Sequence, residues 1–198
     1  SKLNINNKII KMFQNTTTSS LIPTVSFWFY KEKPGLSSSK SQSKTEYAPQ
    51  LTKIGTCFSL DTFWQIYQHL KKPKDFKGDL YIFKKGIQPM WEDPNNRDGG
   101  KYSILLKNDS SSLLWEEVVI SFCGCVLPYY EEINGVAIST RKPQHSVQIW
   151  FRKYDNELVD KMRKELKAFF QIPKEVNMEA ILFKKKDALK RRRVPKQN

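Results

Sequence analysis

The stretch Gly86-Ile87-Gln88-Pro89-Met90-Trp91-Glu92-Asp93, followed by Pro94-Asn95-Asn96, decides how the rest of the sequence is interpreted. Pro89 has no backbone N–H and Pro94 disfavours helix at Asp93, so these residues are predicted to form a loop. On such a loop an indole can stack on a flat cationic ligand while a neighbouring carboxylate accepts hydrogen bonds from its edge. Taken alone, the stretch favours a simpler interpretation, in which Trp91 is a hydrophobic plug and both acids are solvated.

Length and composition predict one globular domain: the chain has 198 residues, of which 39% are hydrophobic and 13% aromatic. No apolar run approaches the ~18–20 residues of a membrane span, and we expect neither a span nor a signal peptide. The three cysteines (Cys57, Cys123 and Cys125) are expected to be reduced, as in a cytoplasmic or nuclear protein. They form no zinc spacing with His69 and His145, so no metal site and no cofactor is predicted.

Positive charge is concentrated at the C-terminal end. Residues 184–198 contain eight Lys or Arg and one acid, Asp187, and so carry half of the net charge of +14. We interpret them as a basic, solvated tail and residues 1–20 as a mobile polar arm. A basic body with a basic tail favours a polyanionic partner.

Apolar periodicity predicts an α+β fold, a curved antiparallel sheet with helices on one face. Three helices are expected: one capped by Ser59 and ending near Leu70, one over 112–122, and one capped by Asp155 and ending before Pro173. Strands are expected over 25–30, 51–58, 101–107, 134–141, 145–153 and 176–183.

Two of these elements carry aromatic residues on an unexpected face. On the first helix, Leu60 and Trp64 form a second apolar row, which indicates either core on both sides or a partner surface. On the strand at 145–153, strict alternation places Trp150 on the polar face, and Arg141 is assigned to the same side.

Six residues are therefore candidates to face a ligand. Aromatic rings can stack on a base, an acid can read its donor edge, and cations can hold attached phosphates. The candidates are three aromatics, Tyr47, Trp91 and Trp150, with Glu92, Lys101 and Arg141.

Several motifs carry a family resemblance: Phe27 to Tyr30, Phe63 to Tyr67, Phe83 to Asp93, Gly99-Gly100-Lys101, Gly135-Val136-Ala137 and Ile149-Trp150. On these motifs, residues 21–183 resemble the eukaryotic translation initiation factor 4E family, proteins that bind the 7-methylguanosine cap of messenger RNA. The resemblance implies three helices on the convex face of the sheet and a cap pocket on its concave side. It also implies a cytoplasmic protein that binds capped mRNA; an additional nuclear role is compatible with the basic tail.

The resemblance implies a role for each candidate around the cap. Trp91 corresponds to one side of the aromatic sandwich, with its backbone N–H on guanine O6. Glu92 corresponds to the carboxylate that pairs with guanine N1 and N2. Trp150 corresponds to the tryptophan that touches the 7-methyl group, and Lys101 and Arg141 to basic positions near the phosphates.

A second implied surface binds proteins. Leu21, Leu60, Trp64 and Gly124 correspond to the convex surface on which initiation scaffolds and repressors dock a Tyr-x-x-x-x-Leu-hydrophobic helix. This explains the second apolar row on the first helix.

One departure indicates a subclass. Tyr47 stands where the main class of the family has the second tryptophan of the sandwich, so the chain looks like the second class, the 4E-homologous proteins. Pro143 and Ser146 replace lysines that bind phosphate in the main class.

Two alternatives compete with cap binding. A cap-processing or nucleic-acid-modifying enzyme lacks support, since the sequence shows no Ser/His/Asp arrangement and no Gly-rich phosphate loop. A general RNA-binding protein that has a decayed pocket and acts through its tail is disfavoured by the retention of Trp91, Glu92 and Trp150.

Overall fold

The computed structural model describes residues 23–31, 51–141 and 143–184. The predicted polar arm, the loop that contains Tyr47, and the tail beyond residue 184 lie outside this range. The described residues form seven strands and three α-helices: β1 Val25–Lys31, β2 Leu51–Cys57, α1 Leu60–Tyr67, β3 Gly78–Lys84, β4 Gly100–Leu106, α2 Asn108–Cys123, β5 Ile133–Ser139, β6 His145–Phe151, α3 Asn156–Phe169 and β7 Met178–Leu182.

The strands form one curved, unclosed sheet in the order β2-β1-β3-β5-β6-β4-β7, with every neighbouring pair antiparallel. The three helices pack on one face of it, where their apolar residues share a core with alternate residues of the strands. The predicted α+β fold, with helices on the convex face, is confirmed.

The helix caps follow the sequence, while two helix ends differ from the prediction. Ser59 Oγ accepts from the Thr62 N–H, and Asp155 Oδ1 accepts from the Leu158 N–H. Helix α1 ends at Tyr67 because the next turn has the tighter i to i+3 bonding. Helix α2 begins at Asn108 instead of 112, because Ser111 lies inside its first turn and its N–H bonds to the Lys107 carbonyl.

Strand β3 is central to the sheet, yet its bounds were not predicted from the sequence. It pairs with β1 on one side and β5 on the other. Leu80 and Ile82 lie in the helix-side core, while Tyr81 and Phe83 lie on the opposite face. A strand buried on both faces has a continuous apolar run instead of an alternating pattern, which is why periodicity did not reveal it.

The concave face carries a second hydrophobic cluster, so the prediction that Trp150 stands on a polar face holds only in part. We call this group the concave cluster; it comprises Tyr30, Tyr81, Phe83, Ala137, Trp150 and Phe183. Trp28, Leu51, Ile87 and Trp91 pack against it. Polar residues share this face with the cluster: Gln148 Oε1 accepts from Trp150 Nε1, whereas Arg152 lies beyond the end of β6.

The loop between β3 and β4 is closed by an acid that was expected to be solvated. Asp93 Oδ2 accepts from the Gln88 N–H at 2.9 Å, and Asp93 Oδ1 accepts from the Asn95 N–H at 2.8 Å. The carboxylate thus satisfies backbone donors that a strand or helix would otherwise have paired. Asp93 therefore holds the shape of the loop that presents Trp91.

Asn96 ties the same loop to the sheet. Its side chain is fully buried, and its Nδ2 donates to the carbonyls of Gln88 and Met90 at 2.8 and 2.9 Å. Its Oδ1 accepts from Asn134 Nδ2, which lies in β5, at 2.9 Å. A turn-forming residue in the sequence is therefore the main anchor of the loop.

We expect Asn96→Ala to lower the free energy of unfolding by about 2–3 kcal/mol, because it removes the three hydrogen bonds that a fully buried side chain makes to the loop and to β5. Asn95→Ala is the matched control: Asn95 is exposed, and its loss should cost no more than about 1 kcal/mol. Urea unfolding of both variants measures the difference. Equal destabilisation would show that the buried bonds of Asn96 do not hold the loop.

Candidate functional site

Trp91 and Glu92 project from the braced loop beside the concave cluster. The Trp91 ring is half-buried and, with Ile87, packs against the cluster. Glu92 is half-buried, and no residue in the described ranges donates a hydrogen bond to its carboxylate. The two adjacent acids therefore differ. The Asp93 carboxylate accepts hydrogen bonds from backbone N–H groups of the loop, whereas the Glu92 carboxylate is available to accept hydrogen bonds from a ligand beside an aromatic ring.

Trp150 is the centre of the concave cluster. The Trp150 side chain is only 5% exposed. Its ring centroid lies 4.7 Å from that of Phe183 and 5.3 Å from that of Phe83. Phe83 can lie this close because its neighbour across the sheet is Gly135, where an added Cβ would meet the Phe83 ring at 2.4 Å. Little of the Trp150 side chain is therefore exposed, and the surrounding rings fix its position.

Lys101 and Trp150 are joined through one amide. The residues face each other across β4 and β6, and the Lys101 Nζ lies 5.3 Å from the centroid of the indole. Both donate to Gln148 Oε1, Lys101 Nζ at 2.8 Å and Trp150 Nε1 at 3.2 Å. The predicted phosphate-binding cation is therefore positioned directly beside the predicted methyl-contacting ring.

Arg141 is held on the same face by a buried acid. Its Nε donates to Asp79 Oδ1 at 3.0 Å, and the Tyr81 hydroxyl donates to Asp79 Oδ2 at 3.0 Å. Asp79 is 3% exposed, and burying a carboxylate without such partners would be costly. The guanidinium also stacks 5.3 Å from the centroid of the Tyr30 ring, so its orientation is fixed from two sides.

Sequence reasoning missed two residues of this site, Asp79 and Gln148. Asp79 lies two residues before Tyr81 and therefore shares its face, but the signal required locating β3 first. Gln148 lies two residues before Trp150 in β6 and shares its face, but alternation alone gives it no role. The candidates Trp91, Trp150, Lys101 and Arg141 all lie on the concave face, whereas Tyr47 lies outside the described residues.

The opposite, helix-covered side holds the predicted partner surface. Trp64 is 42% exposed on α1, in edge contact with Phe63 and Tyr67, and Leu60 is half-buried one turn earlier. The alternative that Trp64 is core is therefore wrong. Phe58, just before α1, is also largely exposed. Leu21 lies outside the described residues.

Gly124, the fourth residue assigned to this surface, lies at the end of α2. It is the half-buried cap residue at the C-terminal end of that helix, and its N–H bonds to the Ile120 carbonyl. Cys123 of α2 belongs to the helix-side core, and Tyr67 of α1 packs against the same core. The place of Gly124 in the partner surface stays a prediction.

Three other features would indicate another kind of site among the described residues: a metal-ligand cluster, a membrane-spanning helix or a reactive cysteine. No cluster of three His, Cys, Asp or Glu side chains among them could hold a metal ion. None of their helices is both long and apolar enough to cross a bilayer. All three cysteines are free thiols, and burial raises the pKa of Cys57 to about 11, so it is an unreactive core residue.

Comparison with known proteins places the chain in a family. The family model for eukaryotic initiation factor 4E matches residues 21–198. The eukaryotic translation initiation factor NCBP of Oryza sativa subsp. japonica is 34% identical over 77% of the chain, and factor 4E-4 of Caenorhabditis elegans is 32% identical over 68%. The matched parts span 66% and 65% of those two proteins, slightly under two-thirds of their length.

Solved structures have the same fold. The C. elegans eIF4E-3 in complex with the 4E-binding protein Mextli and cap analog superposes with a TM-score of 0.72 at 24% identity, covering 84% of this chain and 93% of that one. The Ascaris suum eIF4E-3 with m7G cap gives a TM-score of 0.65 at 25% identity, covering 80% and 88%. With the family model matched over most of its length, the chain belongs to the eukaryotic initiation factor 4E family.

Proposed function

We propose that this protein binds the 7-methylguanosine cap of mRNA on its concave face and docks initiation or repressor proteins on its helices. By doing both it controls translation initiation in the cytoplasm, as a binding protein without catalytic activity. The observation that carries the proposal is the braced loop, which presents the Trp91 ring and the unengaged Glu92 carboxylate side by side.

The chemistry of the cap base fits this pair. Methylation at N7 makes guanine cationic, so an indole face attracts it more than it attracts neutral guanine. The Watson–Crick edge presents two adjacent N–H donors, which one carboxylate accepts together, and charge-assisted bonds of this kind are strong. Because Asp93 and Asn96 fix the loop in advance, little ordering entropy is lost when the base binds.

The remaining concave-face residues fit the rest of the cap. In the proposal the edge of Trp150 contacts the 7-methyl group, and Lys101 and Arg141 contact the phosphates. Both cations are held by neutral or acidic partners, so their charges are oriented before ligand arrives. The relatives support this: a nematode homologue of the same fold has been solved with m7G cap.

Helix α1 supplies the protein-docking surface in the proposal. Trp64 is exposed on α1 and contacts the Tyr67 ring, and an exposed aromatic of this kind is typical of a surface on which an amphipathic helix docks. Support comes from relatives with this fold, since the C. elegans and schistosome proteins were solved with 4E-binding partners.

Substitutions in the loop test cap binding. Glu92→Ala should weaken binding of m7GTP by about 2–3 kcal/mol, because it removes a charged acceptor from the base edge. Trp91→Ala should cost about 1–3 kcal/mol of stacking. Titration calorimetry with m7GTP and GTP measures both, with Glu175→Gln, an exposed acid outside the site, as a control for charge. Wild-type affinity in both loop variants would refute the proposal, and equal binding of m7GTP and GTP by the wild type would favour general RNA binding.

Tyr47 is proposed as the second ring of the sandwich. A phenol covers less of a purine than an indole does and is a weaker partner for a cation, so Tyr47→Trp should tighten m7GTP binding by about 0.5–1 kcal/mol. Tyr47→Ala should weaken it, and both effects should be larger for methylated than for unmethylated nucleotide. If Tyr47→Ala leaves affinity and methyl preference unchanged, the ring that faces Trp91 is not Tyr47.

Trp64 is proposed as a hot spot for partner docking. Trp64→Ala should weaken binding of a Tyr-x-x-x-x-Leu-hydrophobic peptide by at least about 2 kcal/mol, measured by fluorescence anisotropy. Affinity for m7GTP should not change, because Trp64 lies on the helix side of the sheet. Tyr154→Ala removes an exposed aromatic elsewhere and should affect neither ligand. Peptide binding that survives Trp64→Ala would move the docking surface away from α1.

A further inference from the structure

A polar ladder crosses the concave face beside Trp150, and Gln148 is its centre. Trp150 Nε1 and the Lys101 ammonium are donor-only groups, and both point at the same end of the Gln148 amide. That end must be the oxygen, because an NH₂ group there would face two donors. The hydrogen-bond network therefore fixes the orientation of the amide without ambiguity.

The other end of the amide is also fixed. Gln148 Nε2 donates to Ser146 Oγ at 3.3 Å, and Ser146 Oγ lies 2.8 Å from Ser103 Oγ, in hydrogen-bond contact. Gln148 is 7% exposed, so it has little room to adopt another rotamer. Because the Gln148 amide is hydrogen-bonded at both ends, it restricts the positions of the Lys101 ammonium and the Trp150 indole N–H.

The Gln148 side-chain oxygen accepts two hydrogen bonds, from groups with different predicted roles. One is the indole that would contact the 7-methyl group, and the other is the ammonium that would contact phosphate. As a neutral acceptor, Gln148 positions the ammonium without cancelling its charge. A carboxylate of the same shape would hold both groups equally well but would neutralise Lys101.

We propose that Gln148 is a positioning residue that couples methyl recognition to phosphate recognition, by holding Trp150 and Lys101 on one neutral oxygen. This rests on the proposed cap-binding function and extends it to specificity. Because Lys101 keeps its full charge, the site favours caps with a complete phosphate chain. Because Trp150 keeps its N–H partner, its edge stays in place for the methyl group.

Two near-isosteric substitutions of Gln148 separate its effect on phosphate recognition from its effect on methyl recognition. For each variant, two ratios of nucleotide affinities are measured. The ratio of m7GTP to m7GMP affinity reports the phosphate grip, and the ratio of m7GTP to GTP affinity reports methyl recognition. Gln148→Glu should lower the phosphate ratio about tenfold, the value of one charge-assisted bond, and should not lower the methyl ratio. Gln148→Leu removes the acceptor and should lower both ratios.

A double-mutant cycle shows whether Lys101 carries the phosphate effect. Lys101→Met should lower the phosphate ratio as Gln148→Glu does, and the double variant should show no further loss. An equal further loss in the double variant would mean that the introduced carboxylate repels phosphate directly, which overturns the proposal. Lys164→Met removes an exposed lysine of α3, on the helix side of the sheet, and is the matched control that should leave both ratios unchanged.

The remaining outcomes are also decisive. If Gln148→Glu and Gln148→Leu weaken all three nucleotides by one common factor, or change nothing, Gln148 only supports packing and the inference is wrong. A wild-type protein that binds m7GTP no better than GTP would instead remove the cap-binding function itself, and the coupling with it. The wild-type measurement therefore distinguishes failure of the function from failure of the inference.

Discussion

The central strands of the sheet carry apolar side chains on both faces, whereas the helices cover only one of them. Leu80 and Ile82 are sealed by the helices, but Tyr81 and Phe83 on the same strand require another cover. The concave cluster provides this cover, because large rings from several strands bury one another. The candidate site is built on this cluster, so the demand for burial on the second face is what makes a rigid aromatic floor available.

Polar groups on this face are buried with their partners. Asp79, Asn96 and Gln148 are each nearly or fully buried, and each is bonded at both of its polar ends or by more than one donor. In a region of low dielectric an unpaired group would be costly, while a fully paired one is held strongly. Backbone loop, cation and ring are thereby fixed in the ligand-free protein, which is the usual basis of affinity through preorganisation.

The sequence predicted the features that depend on local rules. The caps Ser59 and Asp155 and the hairpin of β5 and β6 follow from residue types and spacing within a few positions. The family motifs also drew attention to Trp91 and Glu92, whose roles toward a ligand stay predictions. Features that depend on distant pairing were missed: Arg141 meets Asp79 across two strands, and nothing in the spacing of either residue signals the contact. Asp93 was expected to be solvated for a related reason. The backbone donors of Gln88 and Asn95 come within reach of its carboxylate only in the folded loop.

The contact of Phe183 with Trp150 joins the edge of the sheet to the concave cluster. Phe183 follows the edge strand β7, its ring packs on Trp150, and its N–H bonds to the Gly99 carbonyl at the end of the Trp91 loop. One residue at the edge therefore supports both the floor of the candidate site and the loop beside it. A change at Phe183 is expected to disturb Trp150 and the Trp91 loop together, although Phe183 is not itself one of the candidate residues.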